Sequence, residues 1–106
     1  MRNGFMTPEG HENFEAKKLF DFGADSPRLQ WSALAYIQRG GGGPAGGHRH
    51  ESGHIFIVTE GEVRVMVGEE AHTVHKDESF VVAGGALHSI WNDREETAKV
   101  IKLNVL

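Results

Sequence analysis

Alternating apolar and polar positions dominate the chain from residue 29 onward and predict β-strands. The segment Glu62–Val67 alternates strictly, which places Val63, Val65 and Val67 on one face. Six further short runs are rich in β-branched and aromatic residues: Leu29–Gln38, His54–Thr59, Ala71–His75, Phe80–Ala83, Leu87–Trp91 and Ala98–Val105. Strands of this length, separated by glycine-rich and acidic turns, predict an all-β antiparallel sandwich or barrel.

Two segments depart from this pattern. Glu12–Phe20 is the one stretch with a helical look, and residues 1–28 as a whole suggest no definite element. We expect a single domain over residues 1–106, with 29–106 forming the barrel and 1–28 adding a strand that crosses to a partner subunit. The run Gly40–Gly47 lacks the Lys-Ser/Thr pair and the following helix of a phosphate-binding loop. It is therefore predicted to end the first strand and to form a flexible loop at the rim of a pocket.

Two of the predicted strands are apolar on both faces. In His54–Thr59, Ile55 and Ile57 alternate with His54, Phe56 and Val58, and the last strand shows the same feature. If one face lines the barrel, a second copy of the chain is the simplest cover for the other, so we expect a homodimer. The alternative is that the N-terminal segment covers these residues within the monomer.

Composition and charge exclude several classes of function. Apolar residues make up 39% of the chain, charged residues 25%, and the net charge is −4. No cluster of Lys and Arg is present, which argues against nucleic-acid binding. No apolar run approaches the ~18 residues that would span a membrane, and residues 1–8 lack the apolar stretch of a signal peptide, so we expect a cytoplasmic protein without membrane association. The absence of cysteine excludes disulfides, thiolate metal sites and cysteine nucleophiles.

Histidine is the residue type that carries candidate chemistry. His48 and His50 lie two positions apart and share a face if this segment is extended, His54 begins the next run, and His88 lies in a later strand. A single histidine on a strand is usually a hydrogen-bonded core residue, but four spread over neighbouring strands favour a metal site. His11, His72 and His75 lie in polar surroundings and are not expected to be ligands.

The spacing of these residues resembles that of the cupin family. Its first motif appears as Gly42, five residues, His48-Arg49-His50, three residues, His54, six residues and Gly61. Of its second motif, Gly85, His88 and Asn92 match, whereas Asp77 and Ala83 replace the usual glycine and proline. His54 stands where the family usually has glutamate. The resemblance covers residues 29–106 and implies an antiparallel double-stranded β-helix, the jelly-roll or cupin barrel.

The resemblance also implies a metal and its ligands. His48, His50, His54 and His88 would bind one divalent transition metal, as in four-histidine cupins that bind manganese, with iron, copper, nickel and zinc as alternatives. Four neutral imidazoles would leave more positive charge on the metal than three imidazoles and a carboxylate, which favours anionic or chelating ligands. Phe56 either lines the pocket or packs in the core, and Asn92 either supports the metal site or caps a strand.

Three functions are consistent with these features. The first is a metal-dependent oxygenase or related oxidoreductase, which acts on a small oxygen-rich substrate that chelates the metal. No residue stands out as a general base, which weighs against isomerase and hydrolase chemistry. The second is a non-catalytic module that senses a small molecule or holds the metal, and the third is a purely structural histidine cluster. Fold alone does not separate these functions.

Overall fold

The computed structural model describes all 106 residues and contains eight β-strands and no helix. The strands are β1 (Glu12–Asp21), β2 (Leu29–His48), β3 (Gly53–Glu60), β4 (Glu62–Val67), β5 (Glu70–His75), β6 (Ser79–Val82), β7 (His88–Trp91) and β8 (Ala98–Val105). No helix is available to cross a membrane. The predicted all-β fold class is confirmed.

The strands form one antiparallel sheet that curls into a nearly closed jelly roll. The order is β5-β4-β7-β2-β8-β3-β6, and β1 pairs with β2. The long β2 joins the two halves, because its first part pairs with β1 and β8 and its last part pairs with β7. The inward side chains of all these strands meet in one core, made of Phe14, Ala35, Ile37, Phe56, Val58, Val63, Val65, Val74, Val82, Ile90, Ala98 and Val100.

The N-terminal segment is a strand, so the helical interpretation of Glu12–Phe20 is wrong. Residues of β1 pair with β2 from Trp31 to Gly42, and Phe14 and Ala16 point into the core side of the sheet. Pairing with β2 gives this segment the hydrogen bonds of a strand, and the local sequence does not indicate that pairing. The added strand therefore exists, but it pairs along β2 of its own chain, and its crossing to a partner subunit stays a prediction.

The glycine-rich run is also a strand, which corrects the predicted flexible loop. β2 continues through it to His48, with Gly42 opposite Trp91 and Gly43 opposite Ile90. A Cβ atom on Gly42 would collide with the carbonyl oxygen of Ile90, and one on Gly41 would collide with that of Asn13. Glycine is required here because neighbouring backbones approach too closely for any side chain.

The outer face of β3 and β8 carries half-buried apolar side chains. Ile55 lies opposite Leu103, and Ile57 lies opposite Ile101. Val81, next to Ile55 on β6, is 64% exposed. The predicted alternation of two apolar faces is thus present, and the homodimer that would cover the outer one stays a prediction.

Candidate metal centre

Four histidines, from β2, β3, β7 and the segment between β2 and β3, converge at one end of the barrel. His48 ends β2 and lies opposite His88, the first residue of β7, while His50 follows β2 and His54 lies near the start of β3. One ligand nitrogen from each ring lies within 4.8 Å of the other three. The Nε2 atoms of His48 and His88 are 2.9 Å apart, as are those of His50 and His54. The structure therefore brings together the four residues that the sequence selects.

Hydrogen bonds fix the tautomers of two of the rings. His88 Nδ1 lies 2.9 Å from the carbonyl oxygen of Ala86, which can only accept, so Nδ1 carries the proton. Consequently, the lone pair of neutral His88 is on Nε2, and it faces the cluster. Such an orienting hydrogen bond on the far nitrogen is typical of metal-binding histidines.

A relay of side chains orients His50 in the same way. Gln30 Nε2 donates to the carbonyl oxygen of Ala24, so Gln30 Oε1 accepts from Asn104 Nδ2. Asn104 Oδ1 then accepts from the Ser52 hydroxyl at 3.1 Å. Because that hydroxyl already donates its one proton to Asn104, it must accept from His50 Nδ1 at 3.0 Å. The relay thus starts at a backbone carbonyl and leaves the Nε2 lone pair of His50 free for a metal.

The donor set fits a transition metal. At metal–nitrogen distances of ~2.0–2.1 Å, adjacent imidazole nitrogens on one ion are ~3 Å apart and opposite ones ~4.2 Å apart. The two separations of 2.9 Å match the adjacent value, and no pair of ligand nitrogens is more than 4.8 Å apart. Several nitrogen lone pairs that face each other this closely repel one another unless a cation or protons lie between them. The arrangement therefore fits a divalent metal ion, and its geometry does not discriminate among the candidate metals.

Burial keeps these imidazoles in the form that binds metals. It lowers the pKa of His54 to about 2, helped by the charge of Lys102, and the pKa of His48 to about 4. Burial also lowers the pKa of His88. His48, His54 and His88 are therefore neutral at pH 7, so none of these three has to lose a proton before a metal binds. His54 Nδ1 is buried without a hydrogen-bond partner, and the ring is instead held by its packing against Phe56 and Trp31.

A cavity of about 240 Å³ adjoins the cluster. Its wall is mostly apolar and includes Phe14, Ile37, Phe56 and Ile90, and the metal-site residues His48 and His88 are part of it. No aspartate or glutamate lines the cavity. Phe56 has both of the roles that the sequence allowed. It packs in the core, where it is 3% exposed, and it also lines the cavity.

Asn92 does not line the cavity, which corrects its assignment as a possible pocket residue. Its side chain is fully buried and donates to the carbonyl oxygens of Ile37 and Glu96, while Oδ1 accepts from the Arg94 backbone N–H. Asn92 therefore caps the end of β7 and closes the turn towards β8, which is the other role that the sequence allowed.

The remaining histidines divide between the surface and the cavity. His72 and His75 lie outside the cluster beside Glu70 and Glu78, as expected. His11, expected to be inert, instead lines the cavity, and its ring packs 4.6 Å from that of Phe14. Burial lowers its pKa. The N-terminal segment thus contributes to the wall of the pocket.

Sequence reasoning missed Lys102. This residue lies on β8 opposite Phe56, on the same inward face as Val100, and its side chain lines the cavity. Burial lowers its pKa to about 8. A charged residue on the same strand face as Ala98 and Val100 was the available signal, because inward positions are normally apolar.

Comparisons with known proteins agree with this architecture. The family model described as "Cupin domain" matches residues 34–105. A predicted oxalate decarboxylase from Thermotoga maritima superposes with a TM-score of 0.81 at 17% identity, over 96% of this chain and 90% of that protein. The polyketide cyclase RemF from Streptomyces resistomycificus gives 0.74 at 19% identity, over 91% and 67%.

A third similar structure is the cupin domain of Cnp3 from Schizosaccharomyces pombe, with a TM-score of 0.76 and 19% identity. The match covers 89% of this chain but only 65% of that one, so the chain is similar to part of the fungal protein. At these identities the likeness shows the fold alone. No protein of curated function matches the chain by sequence.

Proposed function

The chain belongs to the cupin family, and we propose that it is a metal-dependent oxidoreductase of the oxygenase type. Its substrate would be a small, oxygen-rich molecule that chelates the metal. The observation that carries this proposal is the convergence of four histidine side chains on one point beside a small cavity that contains no carboxylate. The metal proposed is manganese, by resemblance to four-histidine cupins, and the alternatives are iron, copper, nickel and zinc, which imidazole ligands suit.

A divalent metal held by His48, His50, His54 and His88 would supply Lewis acidity and, if it is redox-active, electrons for reaction with O₂. The protein residues supply position and environment. Ala86 and the relay through Ser52 hold two of the rings in the metal-binding tautomer. The apolar wall around Phe56 excludes water from the bound substrate and strengthens electrostatic contacts within the cavity.

The cavity wall contains no carboxylate that could serve as a general acid or base, which is consistent with redox chemistry at the metal. Hydrolysis and isomerisation generally need a positioned acid or base. The titratable groups of the cavity wall are histidines and lysines, and two of those histidines belong to the metal site. The same absence supports the second candidate, a binding module that takes up a small chelating molecule without turnover.

Metal analysis of the purified protein tests the metal site. We expect about one transition-metal ion per chain in the wild type and a sharp loss in His54→Ala, with His54→Gln as a second variant that fills more of the buried space. His75→Ala is the matched control, because His75 is exposed and lies outside the cluster. Absence of metal from all four proteins, even after reloading, would exclude the proposed centre.

Oxygen consumption then separates the two candidate functions. A panel of diketones, catechols and flavonols is added to the metal-loaded protein while dissolved O₂ and substrate loss are followed. Turnover that disappears in His54→Ala supports the oxygenase. Tight binding of a panel member without O₂ uptake supports the binding module.

A homodimer is proposed on separate grounds. The half-buried face formed by Ile55, Ile57, Ile101 and Leu103 is continuous across β3 and β8 and is bordered by the exposed Val81. Light scattering after size-exclusion chromatography is expected to give twice the monomer mass. Ile55→Lys should reduce it to one monomer mass, and a monomeric wild type would exclude the dimer.

A further inference from the structure

Lys102 is a cation without a partner in the cavity wall. Two lysines line the cavity, and one of them, Lys18, donates to Asp21 at 3.0 Å. Lys102 forms no hydrogen bond or salt bridge with the protein, and its Nζ atom lies 5.1 Å from the ring centroid of Trp31. No carboxylate lines the cavity to compensate its charge.

The side chain of Lys102 lies on the same part of the wall as the metal site. Lys102 is opposite Phe56 across the β3–β8 pair, and two residues along each strand Asn104 is opposite His54. The Trp31 ring lies near both Lys102 and His54: its centroid is 5.1 Å from Lys102 Nζ and 6.3 Å from the centroid of the His54 ring. Because His48, His88 and Lys102 line the same cavity, one small molecule in it can reach both the ammonium group and the metal site.

An ammonium group in an apolar wall is costly unless something compensates its charge. The protein provides only the ring of Trp31, whose cation–π attraction is modest at this distance. The natural source of the missing negative charge is a ligand in the cavity. A charge-assisted hydrogen bond to a carboxylate in such a place is also stronger than it would be in water.

We propose that Lys102 is an anion anchor, which binds a carboxylate of the same small molecule that the metal centre chelates. This inference deepens the proposed function and relies on it for the chelated end of the ligand. The ligand class that fits has two adjacent oxygens at one end, a short apolar or aromatic body, and a carboxylate at the other end. A cavity of about 240 Å³ limits it to a small compound.

Two probes that differ only in the carboxylate test the anchor. Catechol and 3,4-dihydroxybenzoate share one chelating group, and the zinc-loaded protein binds them without redox turnover. Isothermal titration calorimetry of the wild type is expected to show at least tenfold tighter binding of the benzoate. Lys102→Met should abolish this preference and leave the catechol affinity within about twofold. Lys18→Met, the matched control on the same wall, should keep the preference.

The outcomes are distinct for the anchor and for the proposed function. Absence of the preference in the wild type, or its persistence in Lys102→Met, would overturn the anchor. If catechol does not bind the zinc-loaded wild type, proposed chelation at the metal fails. In that case, the binding of benzoate and of benzamide to the metal-free protein tests the anchor alone. Preference for benzoate that is lost in Lys102→Met supports the anchor. Absence of that preference overturns it.

Discussion

Replacing Lys102 by methionine should stabilise the protein near neutral pH. Methionine has a similar length, carries no charge and suits an apolar wall beside Phe56. The buried ammonium is a group that the fold tolerates rather than one that holds it together. A residue retained for ligand binding is expected to have this signature, because its counter-charge arrives only with the ligand.

The magnitude follows from the pKa of Lys102, which burial lowers from 10.5 to about 8. At ~1.4 kcal/mol per pKa unit, the charged form costs the folded state about 3 kcal/mol. Because the folded pKa lies below the unfolded one, the unfolded chain binds more protons between pH 8 and pH 10.5. The cost is therefore complete below pH 8 and disappears as the pH rises through this window.

Urea unfolding of the metal-free wild type and of Lys102→Met at pH 7.0 and pH 9.5 measures this effect. We expect the variant to be more stable by about 2–3 kcal/mol at pH 7.0, and the difference to shrink by about 2 kcal/mol at pH 9.5. His11, His48, His54 and His88 face the same region, and each has a lowered pKa, so they stay neutral across this range.

Lys18→Met provides the control, because Lys18 is exposed and already paired with Asp21. Lys18→Met should show no comparable gain in stability, and its difference from the wild type in unfolding free energy should not decrease at pH 9.5. A Lys102→Met variant that is less stable than the wild type at pH 7.0, or a difference that does not change with pH, would refute the reasoning. Lys102 would then be a packing residue whose ammonium group is adequately solvated.

Three further predictions follow from single contacts. Ser52→Ala removes the acceptor of His50 Nδ1 and should weaken zinc affinity about 10–100-fold in a chelator-competition titration, with the exposed-site variant His75→Ala unchanged. Asn92→Ala removes the side-chain hydrogen bonds to two carbonyl oxygens and one backbone N–H and should cost about 2–4 kcal/mol in urea unfolding, while the metal content per folded chain stays the same. Gly42→Ala would collide with the Ile90 carbonyl group and should prevent folding, judged by circular dichroism, whereas a mild loss comparable to a surface mutation would show that this strand pairing can relax.

The strands that the sequence predicted well are those whose pattern is local. Glu62–Val67 and Ala98–Val105 have the predicted bounds, because each alternates between a core face and an outer face. The N-terminal strand Glu12–Asp21 was missed because it is mostly polar, and its extended form depends on pairing with β2. The glycine-rich run was missed because glycine is locally compatible with a loop, whereas here it is required by the approach of distant backbones.

The candidate site shows the same division between local and distant information. The resemblance to the cupin motifs located the four histidines, because the motif positions can be recognised along the chain without knowledge of the fold. The support for His50 could not be located in this way, because Gln30 and Asn104 are 74 positions apart in the sequence and meet only through the β2–β8 pairing. The sequence shows Lys102 as a charged residue at an inward strand position. It does not show that Lys102 lacks a carboxylate partner, because that depends on which residues line the cavity.

The histidine at position 54 and the free ammonium of Lys102 are two parts of one electrostatic arrangement. A glutamate at position 54, usual in the resembled motif, would place a carboxylate beside Trp31 and Phe56, on the wall that carries Lys102. It would lower the positive charge at the metal and offer Lys102 a counter-ion. With histidine there, a divalent metal would keep its full charge and the ammonium group would stay unpaired. Both effects favour a ligand with negative charge at each end, so His54→Glu should weaken 3,4-dihydroxybenzoate binding more than catechol binding.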